Sequence, residues 1–193
     1  RGVLITDRAL AGSDTLATSR VLALALTKEN PDLIICGRNS TDGETGQVGP
    51  EVAELMGLPH ISHVRKLDLN ADGNGVVVDR ITDEGFQILE CDLPALICVT
   101  EGVAPELYPN REQMAEADNK QIQQVSCADL SDDISECGSE GSPTWVEEIR
   151  LVEPDRLGVL LEGVAPAEAA RQVAASLRHR LAELEVAVDD AEP

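Results

Sequence analysis

The feature of this sequence that most limits its fold is a short apolar run followed by a glycine-rich loop and then by a helical pattern. The run Leu33–Cys36 has the length and the β-branched content of a buried strand. Apolar side chains then recur at helical spacing in Val48–Met56, where Pro50 suits the first turn. The polar residues between the two segments include glycines that allow unusual backbone conformations, Gly43 and Gly46, and a third glycine, Gly49, follows them.

A loop in this position has the chemistry to bind phosphate. It lies between the carboxyl end of a strand and the first turn of a helix, where free main-chain amides and the positive end of the helix dipole favour an anion. The glycine spacing matches neither G-x-G-x-x-G nor G-x-x-x-x-G-K-[ST], because no lysine follows the glycines. The residues alone therefore leave two interpretations open, a phosphate-binding loop and an ordinary polar connection.

The residues before this loop complete a βαβ unit. Gly2–Thr6 reads as a strand, and Thr15–Lys28 reads as a helix for which Ser13 or Asp14 is a suitable N-cap. Two strands joined by a helix imply a parallel sheet with a right-handed crossover. Ligands of such sheets bind beyond the carboxyl ends of the strands, which is where Arg38–Gln47 falls.

Antiparallel strands are predicted after the second helix. His60–Asn70 alternates in the manner of an exposed edge strand, and a turn rich in Asp and Gly connects it to Val76–Ile81. The turn Asp83–Gly85 leads to a strand at Phe86–Cys91, and Leu93–Thr100 reads as a buried strand. A final short strand is predicted at residues 121–126. The pattern predicts an α/β fold with a mixed, mainly parallel sheet.

Composition excludes several classes of function. The formal net charge is −21 with 15 Lys and Arg residues, which excludes nucleic-acid binding through phosphate contacts. No apolar run approaches the roughly 20 residues that span a bilayer, so we expect no membrane insertion. The five cysteines have no C-x-x-C spacing and read as reduced thiols of a cytoplasmic protein. His60 and His63 have no further ligands close by in the sequence, so no metal site is expected.

Several motifs give the chain a specific resemblance. The string C-G-R-N-S-T-D-G-E-T-G-Q-V-G-P-E-V-A-E-L-M-G-L-P, which begins at Cys36, resembles the nucleotide-binding segment of the electron-transfer flavoprotein β subunit. Residues 78–98 fit the diagnostic pattern of the same subunits at every fixed position. Gly12–Thr18 and Gly141–Thr144 are similar to two further segments of that family. Because the chain begins within a strand-like segment, we expect it to be truncated at its N-terminus, without the first strand of the sheet.

The resemblance implies a fold, a cofactor and a set of site residues. The fold would be Rossmann-like, of the adenine-nucleotide α-hydrolase type, with a C-terminal arm that ends in a helix. The β subunits of this family bind AMP or, in bifurcating members with two flavins, FAD; the motif at Gly12–Thr18 favours FAD. Residues implied on the phosphate side of the nucleotide are Asp42, Thr45, Gln47, Val48 and Gly49, and Gly46 is a further implied cofactor-binding residue. Cys36 and Gly37 would line the adenine, while Asp14 and Thr15 are either further cofactor-binding residues or simple helix caps.

Partners and domains follow from the same resemblance. The family pairs a β subunit with a larger α subunit, and a redox-active FAD lies between them. Ala104–Met114 corresponds to the loop that docks acyl-CoA and other dehydrogenases, although it departs from the usual N-E-P-R-Y-P-S. We predict a nucleotide-binding domain at residues 1–126, and a linker and C-terminal arm at residues 127–193. In the arm, Trp145–Val152 reads as a strand, and Pro166–Val188 reads as a helix whose apolar stripe packs on the partner subunit.

Two main hypotheses for the function follow. The first is an electron carrier subunit, which is not itself an enzyme because the flavin supplies the redox chemistry. No catalytic constellation is evident, since Ser40 lacks the G-x-S-x-G context of a nucleophile. The second is a sensor or hydrolase of related fold that binds an adenine nucleotide without a flavin. A structural subunit that has lost its ligand is a third interpretation.

Overall fold

The computed structural model describes residues 1–151 and 158–189 and divides the chain into two compact units, Arg1–Glu147 and Glu148–Pro193. The first unit contains β1 (Gly2–Ile5), α1 (Thr15–Glu29), β2 (Leu33–Gly37), α2 (Val48–Met56), β3 (His60–Leu69), β4 (Gly75–Thr82), β5 (Gly85–Asp92), β6 (Ala95–Val99), α3 (Arg111–Asp118), β7 (Ile122–Val125) and α4 (Cys127–Leu130). The second unit contains α5 (Pro166–Asp189).

The main sheet has five strands in the order β2-β6-β3-β4-β5. Strand β6 is parallel to both of its neighbours, β2 and β3, whereas β3, β4 and β5 form an antiparallel meander. The prediction of a mixed α/β fold is confirmed. Because β2 and β6 run in the same direction, their carboxyl ends meet at one edge of the sheet, where Gly37 is the register partner of Val99.

Strand β1 does not pair with β2, which corrects the simple βαβ pairing expected from the sequence. Instead β1 pairs in parallel with β7, and the two form a separate two-stranded sheet. The register places Gly2 opposite Ile122 and Ile5 opposite Val125. Helix α1 therefore connects strands of two different hydrogen-bonded sheets, and a sequence pattern cannot reveal a partner strand so distant in the chain.

Strand β3 lies inside the sheet, between β6 and β4, and is not the exposed edge strand that its alternation suggested. Ile61 and Val64 are buried, whereas His63 and Arg65 are exposed. Alternation reports that one face of a strand meets solvent; it does not report whether the edge is paired. The edge position on this side of the sheet belongs to β5.

Strand β6 separates two layers of the apolar core. Leu96 and Cys98 pack in the layer that α1 and α2 cover, together with Val52 and Ala53 of α2. Ile97 points the other way, into a cluster with residues of β3 and β4. All four residues from Ala95 to Cys98 are buried, as expected for a central strand covered on both faces.

Residues 127–147 fold as part of the first unit, although the sequence suggested a linker over much of this stretch. Cys127 and Cys137 are buried against Val21 of α1. The Cys127 amide donates to Asp7 Oδ2 at 3.1 Å. The boundary between the two units at residues 147 and 148 thus differs from the predicted domain boundary at residue 126, because hydrogen bonds and a small buried cluster hold this polar segment in place.

The predicted features of the arm have mixed outcomes. Residues 145–151 form no strand, and Val152 of the predicted strand lies outside the described residues, as do residues 153–157 and 190–193 of the predicted second domain. Helix α5 confirms the helix predicted at Pro166–Val188. Within residues 1–151 and 158–189, no helix is both long enough and apolar enough to cross a bilayer.

Candidate nucleotide-binding site

The glycine-rich loop occupies the position that the sequence predicted for it. Strand β2 ends at Gly37, the loop covers residues 38–47, and α2 begins at Val48. The carboxyl end of β6 lies beside it through the pairing of Gly37 with Val99. The loop therefore lies beyond the carboxyl ends of two parallel strands, where α/β sheets bind their ligands.

A cleft of about 300 Å³ opens between the end of β2 and the start of α2. Its volume is at the lower end of the range for small-molecule sites, about 300–1,000 Å³. The lining includes seven of the predicted site residues: Cys36, Gly37, Thr45, Gly46, Gln47, Val48 and Gly49. Asp42, Asp14 and Thr15 are not among the residues that line it.

The main-chain amides at the start of α2 have few partners within the protein. The Gln47 amide lies 3.4 Å from Thr45 Oγ1, a long contact. In the part of the chain that the structure describes, no acceptor is found for the amides of Gly46, Val48 and Gly49. The amides of Val48 and Gly49 belong to the first turn of α2, which has no acceptors of its own for them, and the Gly46 amide lies in the loop just before it. The cleft therefore contains donors and the positive end of the α2 dipole, an arrangement that fits a phosphate group.

Gly46 of the loop and Gly49 of α2 each need to be glycine, for different structural reasons. Gly46 has a φ of +64°, a left-handed conformation that favours glycine. Gly49 is buried in the first turn of α2, and a Cβ atom added there would lie 2.4 Å from the Cys98 Sγ atom. Gly49 thus permits close packing of α2 on β6, which the sequence reasoning attributed to close approach of a ligand.

Hydrogen bonds hold the N-termini of α1 and α2 together. Thr15 Oγ1 donates to Gln47 Oε1 at 3.1 Å and lies 3.2 Å from Glu51 Oε1. The buried Ser19 hydroxyl donates to Glu51 Oε2 at 2.8 Å. Thr15 therefore orients the Gln47 side chain at the mouth of the cleft. The sequence reasoning missed Ser19 and Glu51, because a Ser and a Glu on two different helices give no local signal.

Asp14 serves as the N-cap of α1, the structural alternative that the sequence left open for it. Its Oδ1 atom accepts from the Ala17 amide at 2.9 Å. Its Oδ2 atom accepts from the Thr144 amide at 3.1 Å and from the Thr144 hydroxyl at 2.8 Å. The hydrogen bond from the Ala17 amide, with those from Thr144, lowers the pKa of Asp14. Asp14 thus also fixes the Gly141–Thr144 motif to the first unit.

Asp42 lies at the exposed tip of the loop. Its Oδ1 atom accepts from the Gly43 amide at 2.7 Å. The hydrogen bond with the Ser40 side chain, followed by that with the Gly43 amide, lowers the pKa of Asp42. The carboxylate therefore stabilises the turn of its own loop, and its role toward a nucleotide stays a prediction.

Comparison with known proteins identifies the family. The family model of the electron transfer flavoprotein domain matches residues 1–130, more than half of the chain. The chain belongs to the electron transfer flavoprotein family. The resemblance found in its loop and hairpin motifs is thereby confirmed.

Three relatives show how far this similarity extends. The electron transfer flavoprotein subunit beta of Thermoanaerobacterium thermosaccharolyticum is 35% identical over 161 residues, which are 83% of this chain and 61% of that protein. Protein FixA of Azorhizobium caulinodans is 36% identical over 156 residues, 77% of this chain and 56% of FixA. The acryloyl-CoA reductase electron transfer subunit gamma of Anaerotignum propionicum is 32% identical over 170 residues, 84% of this chain and 63% of that subunit. The flavoprotein chain therefore matches between 56% and 63% of the length of these curated relatives.

Proposed function

We propose that this chain acts as the β subunit of a heterodimeric electron-transfer flavoprotein and binds an adenine nucleotide, either AMP or the adenylate half of FAD, at the start of α2. The observation that carries the proposal is the set of main-chain amides at Gly46, Val48 and Gly49, which have no acceptor in the described part of the chain. Family membership and the names of the relatives support the electron-transfer role.

The chain's own residues would bind and orient the nucleotide. The amides of the α2 N-terminus would donate to a phosphate, and Thr45 would place its hydroxyl beside the same group. Cys36 and Gly37 would form the wall of the cleft on the adenine side. A bound flavin supplies the one- and two-electron chemistry, so the protein's part is binding, orientation and electrostatics. On this proposal the chain is an electron carrier subunit, without a catalytic residue of its own.

The proposed partners are an α subunit, with which the chain would share the redox-active FAD, and acyl-CoA or other dehydrogenases. The loop at Ala104–Met114 is a suitable surface for a dehydrogenase, because Leu107 is 90% exposed and Tyr108 is 83% exposed. Asn110 caps α3 with a complete capping box and so fixes the end of this loop. The apolar stripe of α5 would pack on the α subunit. The free cysteines fit a cytoplasmic location.

Co-expression with an α subunit tests the proposal. The purified complex is expected to show flavin absorbance, and denaturation is expected to release an adenine nucleotide from the β site. A matched pair of variants reports on the loop. Gly46→Ala strains a left-handed residue, whereas the Cβ atom of Gly43→Ala makes only an ordinary contact, with Thr45 Cγ2 at 3.8 Å. Only the first variant is expected to lose the nucleotide.

The outcomes separate the candidate functions. A complex that retains AMP but shows no flavin would favour the sensor or hydrolase of related fold. A complex with neither nucleotide nor flavin would contradict the proposal and favour a structural subunit.

A further inference from the structure

Two of the five cysteines lie together in a small buried cluster against α1. Cys127, the first residue of α4, is 1% exposed, and Cys137 is 6% exposed. Both belong to one cluster with Val21 of α1, and the Cys137 thiol is close enough to form a hydrogen bond with the Cys127 thiol. Neither cysteine lines the nucleotide cleft, so the pair is separate from the proposed nucleotide site.

The backbone at both cysteines is anchored to the same short segment that follows β1. The Cys127 amide donates to Asp7 Oδ2 at 3.1 Å. Two residues after Cys137, the Ser139 amide donates to the carbonyl oxygen of Ala11 at 3.1 Å. The segment after β1 therefore positions both thiols, although a loop separates them in the chain.

Gly138 brings the second cysteine close to that segment. Its φ is +62°, a left-handed conformation that favours glycine. A Cβ atom added at Gly138 would collide with the carbonyl oxygen of Ala9. The glycine thus permits a close approach of two stretches of backbone, and this approach places the neighbouring Cys137 inside the cluster.

The surroundings of the pair keep the Cys127 thiol protonated in the native state. Burial, followed by the hydrogen bond with Cys137, raises the pKa of Cys127 to about 11. Because the thiolate is the nucleophile, reaction waits for a local opening of the segment after α4. Residues 127–147 contain no strand and contribute to one small buried cluster, so this segment opens at a lower free-energy cost than the main sheet.

We propose that Cys127 and Cys137 form a reversible disulfide by exchange with a small-molecule disulfide such as oxidised glutathione. After local opening, one cysteine loses its proton, and its thiolate attacks a sulfur of the oxidant. This step gives a mixed disulfide and releases one glutathione thiol. The other cysteine then loses its proton and attacks the protein sulfur of the mixed disulfide, which releases the second glutathione thiol. The protein thus loses two protons and two electrons, and one oxidant disulfide is reduced to two thiols.

The disulfide acts as a lock on the segment that follows α4. It joins Cys127 to Cys137 just before the Gly141–Thr144 motif, which Asp14 fixes to the N-terminus of α1. A cross-link removes conformations that the opened segment could otherwise adopt, so opening becomes rarer. In a reducing compartment the pair stays as two thiols, and oxidising conditions convert it, which is the behaviour of a redox-sensing pair.

The test equilibrates the full chain, purified with reductant, in mixtures of reduced and oxidised glutathione. Remaining thiols are then blocked by alkylation, and the protein is digested with trypsin. Both cysteines fall on one tryptic peptide, Gln121–Arg150, which contains no other cysteine. We expect mass spectrometry to find this peptide without alkyl groups and lighter by two hydrogen atoms than the reduced peptide.

The dependence on glutathione concentration distinguishes an internal disulfide from a mixed one. When both glutathione forms are doubled in concentration at a fixed ratio, the proportion of disulfide to dithiol protein should fall about 2-fold, because each internal disulfide releases two glutathione thiols. A mixed disulfide releases one thiol, so its proportion should stay constant. A constant proportion would overturn the proposal.

Hydrogen exchange of the reduced and oxidised chains measures the lock. The amides of Ser131, Ser139 and Gly141 each donate to a main-chain carbonyl oxygen in or beside this segment. We expect them to exchange at least about 10-fold more slowly in the oxidised chain, since the cross-link restricts the opened state. Equal exchange rates in the two forms would overturn the proposed lock.

The variants Cys127→Ser and Cys137→Ser should each abolish the internal disulfide. Cys91→Ser is the matched control and should retain it, because Cys91 packs in a different cluster. Absence of the linked peptide from the unmodified folded chain would overturn the proposal. A disulfide that joins other cysteines and leaves these two free, or one that forms only in denaturant, would overturn it as well. All of these outcomes leave the proposed nucleotide site unaffected.

Discussion

A methyl group added at Gly49 should destabilise the protein through one identified contact. The new Cβ atom would lie 2.4 Å from Cys98 Sγ, whereas its distances to Leu96 Cδ2 and Cys36 Cβ, 3.6 and 3.8 Å, are ordinary. Non-bonded heavy atoms prefer about 3.5–4.0 Å, so α2 or Cys98 must move by about 1 Å. Overpacking of this kind costs about 1–3 kcal/mol. The higher helix propensity of Ala offsets about 1 kcal/mol of that loss.

The net expectation for Gly49→Ala is a loss of about 1 kcal/mol in the free energy of unfolding, measured by urea denaturation. The sign should reverse in a Cys98→Ala background. That substitution removes the Sγ atom, so the added methyl group fills space and the helix propensity gain of about 0.5–1 kcal/mol becomes visible. A double-mutant cycle then gives a favourable coupling between the two positions.

Gly43→Ala is the control, because its added Cβ atom meets nothing closer than 3.8 Å. It is expected to change the free energy of unfolding by less than about 0.5 kcal/mol. A stabilising effect of Gly49→Ala in the otherwise unmodified protein would refute the packing argument. The same conclusion would follow if Cys98→Ala failed to relieve the loss.

Three further predictions follow from other contacts. Asp14→Ala removes the α1 cap and the tie to Thr144, and should lower the free energy of unfolding by about 1 kcal/mol, whereas Asp14→Asn should keep part of the cap. Because the pKa of Asp14 is lowered in the folded state, its contribution is present above the ordinary pKa of a carboxyl group and is lost as the pH falls through the folded-state pKa. Denaturation of Asp14→Asn at acidic and neutral pH should therefore show a smaller pH dependence; an unchanged dependence would contradict this. Gly46→Ala should lower both the affinity for the nucleotide and the free energy of unfolding, the second by about 1 kcal/mol, because Ala is strained in the left-handed conformation. A variant that binds the nucleotide as tightly as the original would argue against that loop conformation. Burial raises the pKa of Cys127 to about 11, so little of this thiol is the reactive thiolate at neutral pH. Alkylation of the native protein, followed by mass spectrometry, should therefore label the partly exposed Cys91 well before Cys127. Equal labelling rates would contradict the buried position of Cys127.

The local elements were predictable because their signals are local. The strand, loop and helix from Leu33 to Met56 follow from apolar spacing and glycines, and the two hairpins after His60 follow from their turn residues. The wrong expectations concern contacts between distant segments. Strand β1 pairs with β7, about 120 residues away in the chain, and no periodicity encodes that choice.

The site was predictable in outline and incomplete in detail. Sequence motifs placed the loop correctly beyond β2, but they could not reveal that a Cβ atom at Gly49 would meet Cys98, because the packing of a helix on a sheet sets that contact. They also missed the register shift in β3 between Ile61 and Val64, the stretch that contains the exposed His63. Asp14 carried two interpretations until the hydrogen bonds to Ala17 and Thr144 showed its capping role.

The most direct measurement of the central claim follows the main-chain amides of the loop during titration with AMP. In ¹⁵N–¹H correlation spectra of the labelled chain bound to its α subunit, the amides of Gly46, Val48 and Gly49 are expected to show the largest shifts and to become protected from solvent exchange. Those amides donate to the phosphate if the account is correct. Saturable AMP binding that leaves these three amides unchanged and shifts a different part of the chain would contradict it.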